Sequence, residues 1–230
     1  HVLGYDPAQN TLFALKAAGE PLWSSPDGSL FRFCDNASHD ACNWLLPAHA
    51  TERYCRACRH NRTVPDLSDA QHVAYWRKME LAKHRLFYTL MRLNLPLPNR
   101  QDDAETGLAF DFLAEKVDGK HILTGHEDGI ITLALKEADD AEREARRTAM
   151  HEPYRTLLGH FRHEIGHFYW DRLVANEGRQ EQCRVMFGDE REDYAEALKR
   201  HYEQGAPANW QDNYISSYAT SHAWEDFAET

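Results

Sequence analysis

In the stretch GHFRHEIGHFYWD, residues His163, Glu164 and His167 spell H-E-x-x-H. On a helix, positions i and i+4 lie one turn apart on the same face, so the two imidazoles can grip one ion. Zinc takes imidazole nitrogen readily, and a catalytic site uses three protein ligands and leaves the fourth position to water. Glu164, beside the first histidine, is placed to take a proton from that water as general base. Gly166 has no side chain and leaves room for a neighbouring element. The chain holds 14 histidines, so the pentapeptide can arise by chance and a third ligand must decide. Leu173 stands where a third histidine, six residues beyond His167, would be needed. Asp171 lies one more turn along the same helix, where reaching the ion requires strain.

Glu225 and Glu229, in HAWEDFAET, are four residues apart. That spacing lets Glu225 supply a third ligand from a second helix while Glu229, one turn later, accepts an N–H from a ligand imidazole. Asp226 points about 100° away from Glu225 around such a helix and is the alternative ligand. A second metal set lies in the 34–58 stretch, which holds Cys34, Cys42, Cys55 and Cys58, four of the five cysteines. Cys55 and Cys58 form the C-x-x-C knuckle that presents two thiolates to one structural zinc. The odd count argues against a secreted disulfide framework, and no βαβ pattern follows to suggest a redox pair. His39, His49 or His60 can replace one cysteine. Cys183 has no partner in sequence and reads as an inert thiol.

The elements that must position these groups follow from texture and periodicity. Residues 1–64 are irregular, broken by Pro7, Gly19, Pro21, Pro26, Gly28 and Pro47, which suits a small zinc-ribbon-like module stapled by metal. Residues 65–230 are expected to form the second, zincin-like domain. From Asp69 to about Leu93, Val73, Trp76, Met79, Leu86, Leu90 and Leu93 recur at helical steps. Ser68 or Asp69 can cap that helix, and Pro96 and Pro98 stop it. GLAFDFLAE and HILTGHEDGIITLAL have strand character with a turn between apolar runs. EADDAEREARRTAM is a charged helix with leading acids and trailing arginines. Pro153 suits the start of the H-E-x-x-H helix, which should run to about Ala175 with Gly178 past its end. REDYAEALKRHYEQG is a further helix, WQDNYISSYATSH a short one, and WEDFAET the start of the last. The fold class is α+β, with a small, mostly antiparallel sheet beside a helical body.

Composition bounds the partners. A net charge of −11 and pI near 5.7 argue against general nucleic-acid or anionic-membrane binding. No apolar run approaches the roughly 18 residues that span a bilayer, and no signal-peptide pattern opens the chain. A soluble, cytoplasmic protein is expected. Arg53, Arg56, Arg59 and Arg62 make a local basic patch around the C-x-x-C knuckle, a candidate contact for an acidic partner.

EDFAE is similar to the E-F-F-A-E segment that carries the glutamate ligand in the lethal-factor and MtfA-like gluzincins. In the lethal-factor group a tyrosine seven residues before that glutamate assists the transition state. The matching residue is Tyr218, which the resemblance implies as an oxyanion donor, with His222 and Tyr214 as alternatives. A wider match rests on CNWL, YCRACRHNRTVPDL, TGHEDGIITLALKEADDAERE, EPYRTLLGHFRHEIGHFYWDRLV and FGDEREDYAEALKRHYEQG. Together they resemble the bacterial family of zinc-binding metallopeptidases with an N-terminal zinc ribbon, over nearly the whole chain. Members usually carry a further cysteine pair upstream and a longer last helix, so this chain is expected to be trimmed at both ends. The resemblance implies a zinc peptidase acting on peptide or protein substrates. A zinc amidohydrolase, or an inert zincin and zinc-ribbon binding module, is the alternative.

Overall fold

The computed structural model describes residues 2–114, 116–117, 120–122, 124–149 and 156–230. Short apolar pieces broken by turn residues form a first sheet. It comprises β1 (Val2–Asp6), β2 (Thr11–Ala17), β3 (Trp23–Ser24), β4 (Leu30–Phe33) and β5 (Leu45–Pro47), in that order across the sheet. Every neighbouring pair is antiparallel. Asn10 turns β1 into β2 with φ 52, a left-handed backbone that asparagine tolerates. Leu15, Phe31 and Leu45 form the small core, with Phe13, Trp23 and Phe33 packed against it. A core of this size is marginal without a covalent or metal staple.

β6 (Asn61–Thr63) and α1 (Ala70–Arg92) follow, then β7 (Ala109–Leu113), β8 (Lys116–Val117), β9 (Lys120–His121), β10 (Gly125–Glu127) and β11 (Ile130–Ala134). The remaining helices are α2 (Asp140–Ala149), α3 (Leu157–Tyr169), α4 (Gln180–Phe187), α5 (Tyr194–Gln204) and α6 (Ala223–Glu229). The chain divides into two compact units. One holds the chain up to residue 124 together with 130–158; the other holds 125–129 and 159–230. The expected boundary at residue 64 falls inside the first.

In the first unit the Asp69 carboxylate accepts from the Gln71 and His72 N–H groups and so caps α1, filling two of the donors that a helix start leaves unpaired. Trp76, Met79, Leu86, Phe87 and Leu90 face inward. The helix stops where Asn94 turns left-handed at φ 52. Phe87 meets Phe110 of β7 at 6.0 Å between ring centroids. β8 and β9 also pair antiparallel. β7 instead lies parallel to both β6 and β11. Fifteen or more residues part these strands in sequence, enough for the crossover that parallel pairing needs, and Phe110, Phe112, Ile131 and Leu133 are fully buried as parallel strands require. Asp139 caps α2 by accepting from Ala141 and Glu142.

In the second unit α3 is regular to Tyr169 and then widens into a π turn over Trp170–Ala175, ahead of Gly178 at φ 68. Pro153, the expected helix start, lies outside the described residues. Asp193 caps α5 and Gly205, at φ 74, closes it. α4 has no buried residue and so no apolar stripe to betray it. Phe227 of α6 stands edge-on to Trp170 at 5.2 Å and to Phe187 of α4 at 5.4 Å, tying three elements together. No described helix is long and apolar enough to cross a membrane.

Gly166 is where α3 and α6 come closest. A Cβ there would stand 2.7 Å from Ala228 Cα and 3.1 Å from its Cβ, and backbone cannot yield as a flexible side chain can. Alanine would gain about 1 kcal/mol of helix propensity, but overpacking costs about 1–3 kcal/mol, so the clash should win. Gly166→Ala is expected to unfold at lower temperature by calorimetry. An unchanged or higher midpoint would show that the two helices separate freely.

Candidate metal centres

α3 and α6 bring His163, His167 and Glu225 together, with one ligand atom from each inside a common 4.8 Å sphere of separations. His167 Nε2 is 3.2 Å from His163 Nε2. Glu225 Oε2 is 3.1 Å from His163 Nε2 and 3.6 Å from His167 Nε2. Zn–N and Zn–O bonds of about 2.0–2.2 Å give tetrahedral edges of about 3.3–3.6 Å, so this triangle is close to the size of one zinc face. Glu225 Oε2 is buried and makes no hydrogen bond among the described residues, an arrangement that a shared cation satisfies. The donor set therefore fits a metal of the zinc class. Burial works against a charged His163, but the carboxylates of Glu225 and Glu229 outweigh it and lift the imidazole to about 10. The pocket attracts positive charge.

The supporting contacts are specific. His163 Nδ1 lies 2.8 Å from Glu229 Oε1, the placement expected of an orienting acid, and directs Nε2 toward Glu225. Tyr194, on α5, donates its hydroxyl to Glu225 Oε1 at 2.6 Å, leaving Oε2 for the centre. Sequence reading missed Tyr194, because nothing local to REDYAEAL marks it. Glu164 is 8% exposed, and burial lifts its carboxyl above the ordinary value against the pull of His163 and His167. The Tyr218 ring sits 5.9 Å from the His163 ring, and burial raises its phenol further. His222 is committed elsewhere: Nδ1 accepts from Trp224 N–H, and Nε2 faces the Glu192 carbonyl at 3.1 Å. Tyr214 is 36% exposed. Asp226 and Asp171 are not among the converging atoms; burial raises Asp226 to about 6 and lifts Asp171 as well. Burial, followed by the nearby His167, lowers His126 of β10 to about 4, and its Nε2 accepts from Gly129 N–H.

In the first unit Cys34, Cys42, Cys55 and Cys58 converge in the same way. Cys42 and Cys55 sulfurs are 3.7 Å apart, close to the roughly 3.8 Å edge of a tetrahedron with Zn–S bonds of about 2.3 Å. Backbone N–H groups of Trp44, Cys55 and Cys58 point at the sulfurs of Cys42, Cys34 and Cys55 at 3.3, 3.3 and 3.4 Å, as donors to thiolates do. Of the histidines considered as substitutes, His60 is buried against Phe87 at 4.8 Å, His39 packs on Trp76 and His49 is exposed. The histidine that does reach the cluster is His84, from α1, with Nε2 at 3.3 Å from Cys42 Sγ and 3.6 Å from Cys58 Sγ. Beside it Glu80 and Lys83 are fully buried and paired at 2.8 Å, with Asn61 bonded to both. Cys183 stands apart on α4. Three arginines of the basic patch face carboxylates: Arg53 meets Asp35, Arg59 meets Asp102 and Arg62 meets Asp111.

Residues 72–230 match the family described as "Putative zinc-binding metallo-peptidase", and residues 1–69 match a zinc-ribbon domain. Uncharacterised proteins of Mycobacterium bovis and Mycobacterium tuberculosis are each 44% identical over 205 residues, which is 89% of this chain and 60% of theirs. The chain thus spans about 60% of the length of these curated relatives. No solved structure matches. With donor clusters of zinc-binding type among its described residues and a family match over most of its length, the chain belongs to this zinc-binding metallopeptidase family.

Proposed function

We propose that this chain is a zinc-dependent peptidase of gluzincin type, with His163, His167 and Glu225 as ligands of a catalytic zinc. Cys34, Cys42, Cys55 and Cys58 hold a second, structural zinc. The observation that carries the reading is Glu225 Oε2, buried without a hydrogen bond and aimed at two imidazole nitrogens. When bound, zinc acidifies a water and polarises the carbonyl to be attacked. Glu164, one residue from the first ligand and raised by burial, accepts the water proton and returns it to the leaving amine. Tyr218 donates its O–H to the developing oxyanion. Its position against His163, together with the commitment of both His222 nitrogens, favours it over His222. Glu229 holds the His163 tautomer through Nδ1, and Tyr194 holds Glu225 to one coordinating oxygen.

Digestion of a diverse peptide library, followed by mass spectrometry, should give cleavage that a chelator abolishes and zinc restores. Glu164→Gln should keep its zinc and lose about 10²–10⁴-fold in turnover. Full turnover with normal zinc content would sink the mechanism. Cleavage of amide metabolites alone would favour an amidohydrolase.

Tyr194→Phe removes one hydroxyl and leaves every proposed ligand in place. Zinc affinity at the histidine site should fall by roughly 10–100-fold, read by competition with a fluorescent chelator. Unchanged affinity would mean that packing alone orients Glu225.

A further inference from the structure

The cysteine cluster has more donors around it than a tetrahedral ion needs. His84 Nδ1 is 2.6 Å from the Glu80 carbonyl oxygen. A carbonyl only accepts, so Nδ1 carries the proton in that bond. The other nitrogen, Nε2, faces Cys42 and Cys58 sulfurs at 3.3 and 3.6 Å. With Zn–S of about 2.3 Å and Zn–N of about 2.0–2.1 Å, N···S edges of a zinc tetrahedron run about 3.5 Å. Nε2 thus lies one coordination edge from two of the sulfurs. An imidazole whose far N–H is tied to a backbone carbonyl is the usual form of a zinc-ligand histidine. Its neighbour Glu80 also turns Oε2 toward Cys58 Sγ at 3.6 Å, but its charge is already paired through Oε1 with Lys83 and Asn61, and unlike Nε2 it faces one sulfur rather than two. Among the four sulfurs, Cys42 is the exception in burial: Cys34, Cys55 and Cys58 are buried, while Cys42 is only partly so. It is also the sulfur nearest Nε2.

We propose that His84 is a reserve ligand of the cysteine-bound metal, taking the coordination position of Cys42 when that thiolate is unavailable. The site is then a five-donor pocket that holds its ion through Cys34, Cys55, Cys58 and His84 as well as through four cysteines. The ion would also tie α1 to the first sheet, since His84 belongs to the helix and the cysteines to the strands and loops before it. The inference rests on the reading that the four cysteines bind metal, and it is independent of the chemistry at His163 and His167.

Cobalt(II) tests it in the full chain, because thiolate-to-cobalt charge-transfer bands arise only from the cysteine site. Wild-type protein should show the four-thiolate spectrum, and its absence would overturn the cysteine reading itself. Cys42→Ala should still bind one cobalt there. The charge-transfer intensity should fall by roughly a quarter as thiolates go from four to three, and the d–d bands should shift to higher energy with a nitrogen ligand. His84→Ala should keep the wild-type spectrum, and Cys42→Ala/His84→Ala should lose the thiolate bands. Loss of those bands in Cys42→Ala alone, or their retention in the double variant, overturns the proposal. The first result would leave His84 as a hydrogen-bond donor to sulfur only. Cys42→Ser, which keeps an acceptor for the Trp44 N–H, repeats the measurement if the alanine variant fails to fold. Failure of both single cysteine variants to fold, with His84→Ala folded, also overturns it.

Discussion

A carboxylate removed from water costs several kcal/mol unless charges or donors replace its solvent, and Glu225 is 1% exposed. The arrangement of the second unit around α3 and α6 follows from meeting that cost. One oxygen receives the Tyr194 hydroxyl, and the other is turned to two imidazoles. Burial raises the Glu225 carboxyl, yet His163 and His167 more than offset it and hold it well below the carboxylate range. The carboxylate therefore stays ionised. α6 depends on its packing against α3, the π turn and α4. Phe227 lodges between Trp170 and Phe187, and Gly166 lets Ala228 approach. The packing that stabilises the helix is also what brings Glu225 to the two imidazoles.

The first unit meets a similar constraint with softer donors. Four thiolates in a loop-rich sheet with a three-residue core would repel one another without a cation. The backbone N–H groups on their sulfurs reduce that repulsion but do not neutralise it. A closed four-sulfur set suits a structural ion, whereas two imidazoles and one carboxylate leave a tetrahedral position open for chemistry. The two clusters thus differ in donor chemistry, and they lie in different compact units.

Much of this was legible in residue spacing. His163 and His167 share a face because helices repeat every 3.6 residues, and Glu229 reaches His163 because Glu225 and Glu229 stand one turn apart. Gly166 marked a close approach before the partner was known. α1 was readable from its cap to its end, since a long amphipathic period is the strongest local signal. What stayed hidden was long-range. The parallel pairing of β7 with β6 and β11 depends on which strands meet, and that information is spread over the chain. α4, with no buried face, and the π turn after Tyr169 left no periodic trace.

The missed site residues have a common cause and point to a better way of reading. Glu80, Lys83 and His84 lie at steps of three and four from Met79, Trp76 and Phe87, on the buried stripe of α1. Hydrophobic periodicity treats such residues as interruptions. Their energetics say the opposite: an ionisable side chain on a buried stripe is too costly to be left unpaired, so its position predicts a partner from another element. For Lys83 and Glu80 the partner beyond the helix is Asn61, and for His84 it is the cysteine cluster. Tyr194 illustrates the same rule more weakly, because a phenol can sit half-buried without a partner and so marks its acceptor less firmly. The polar residues that break an amphipathic pattern are therefore where a sequence is most informative about contacts it cannot otherwise show.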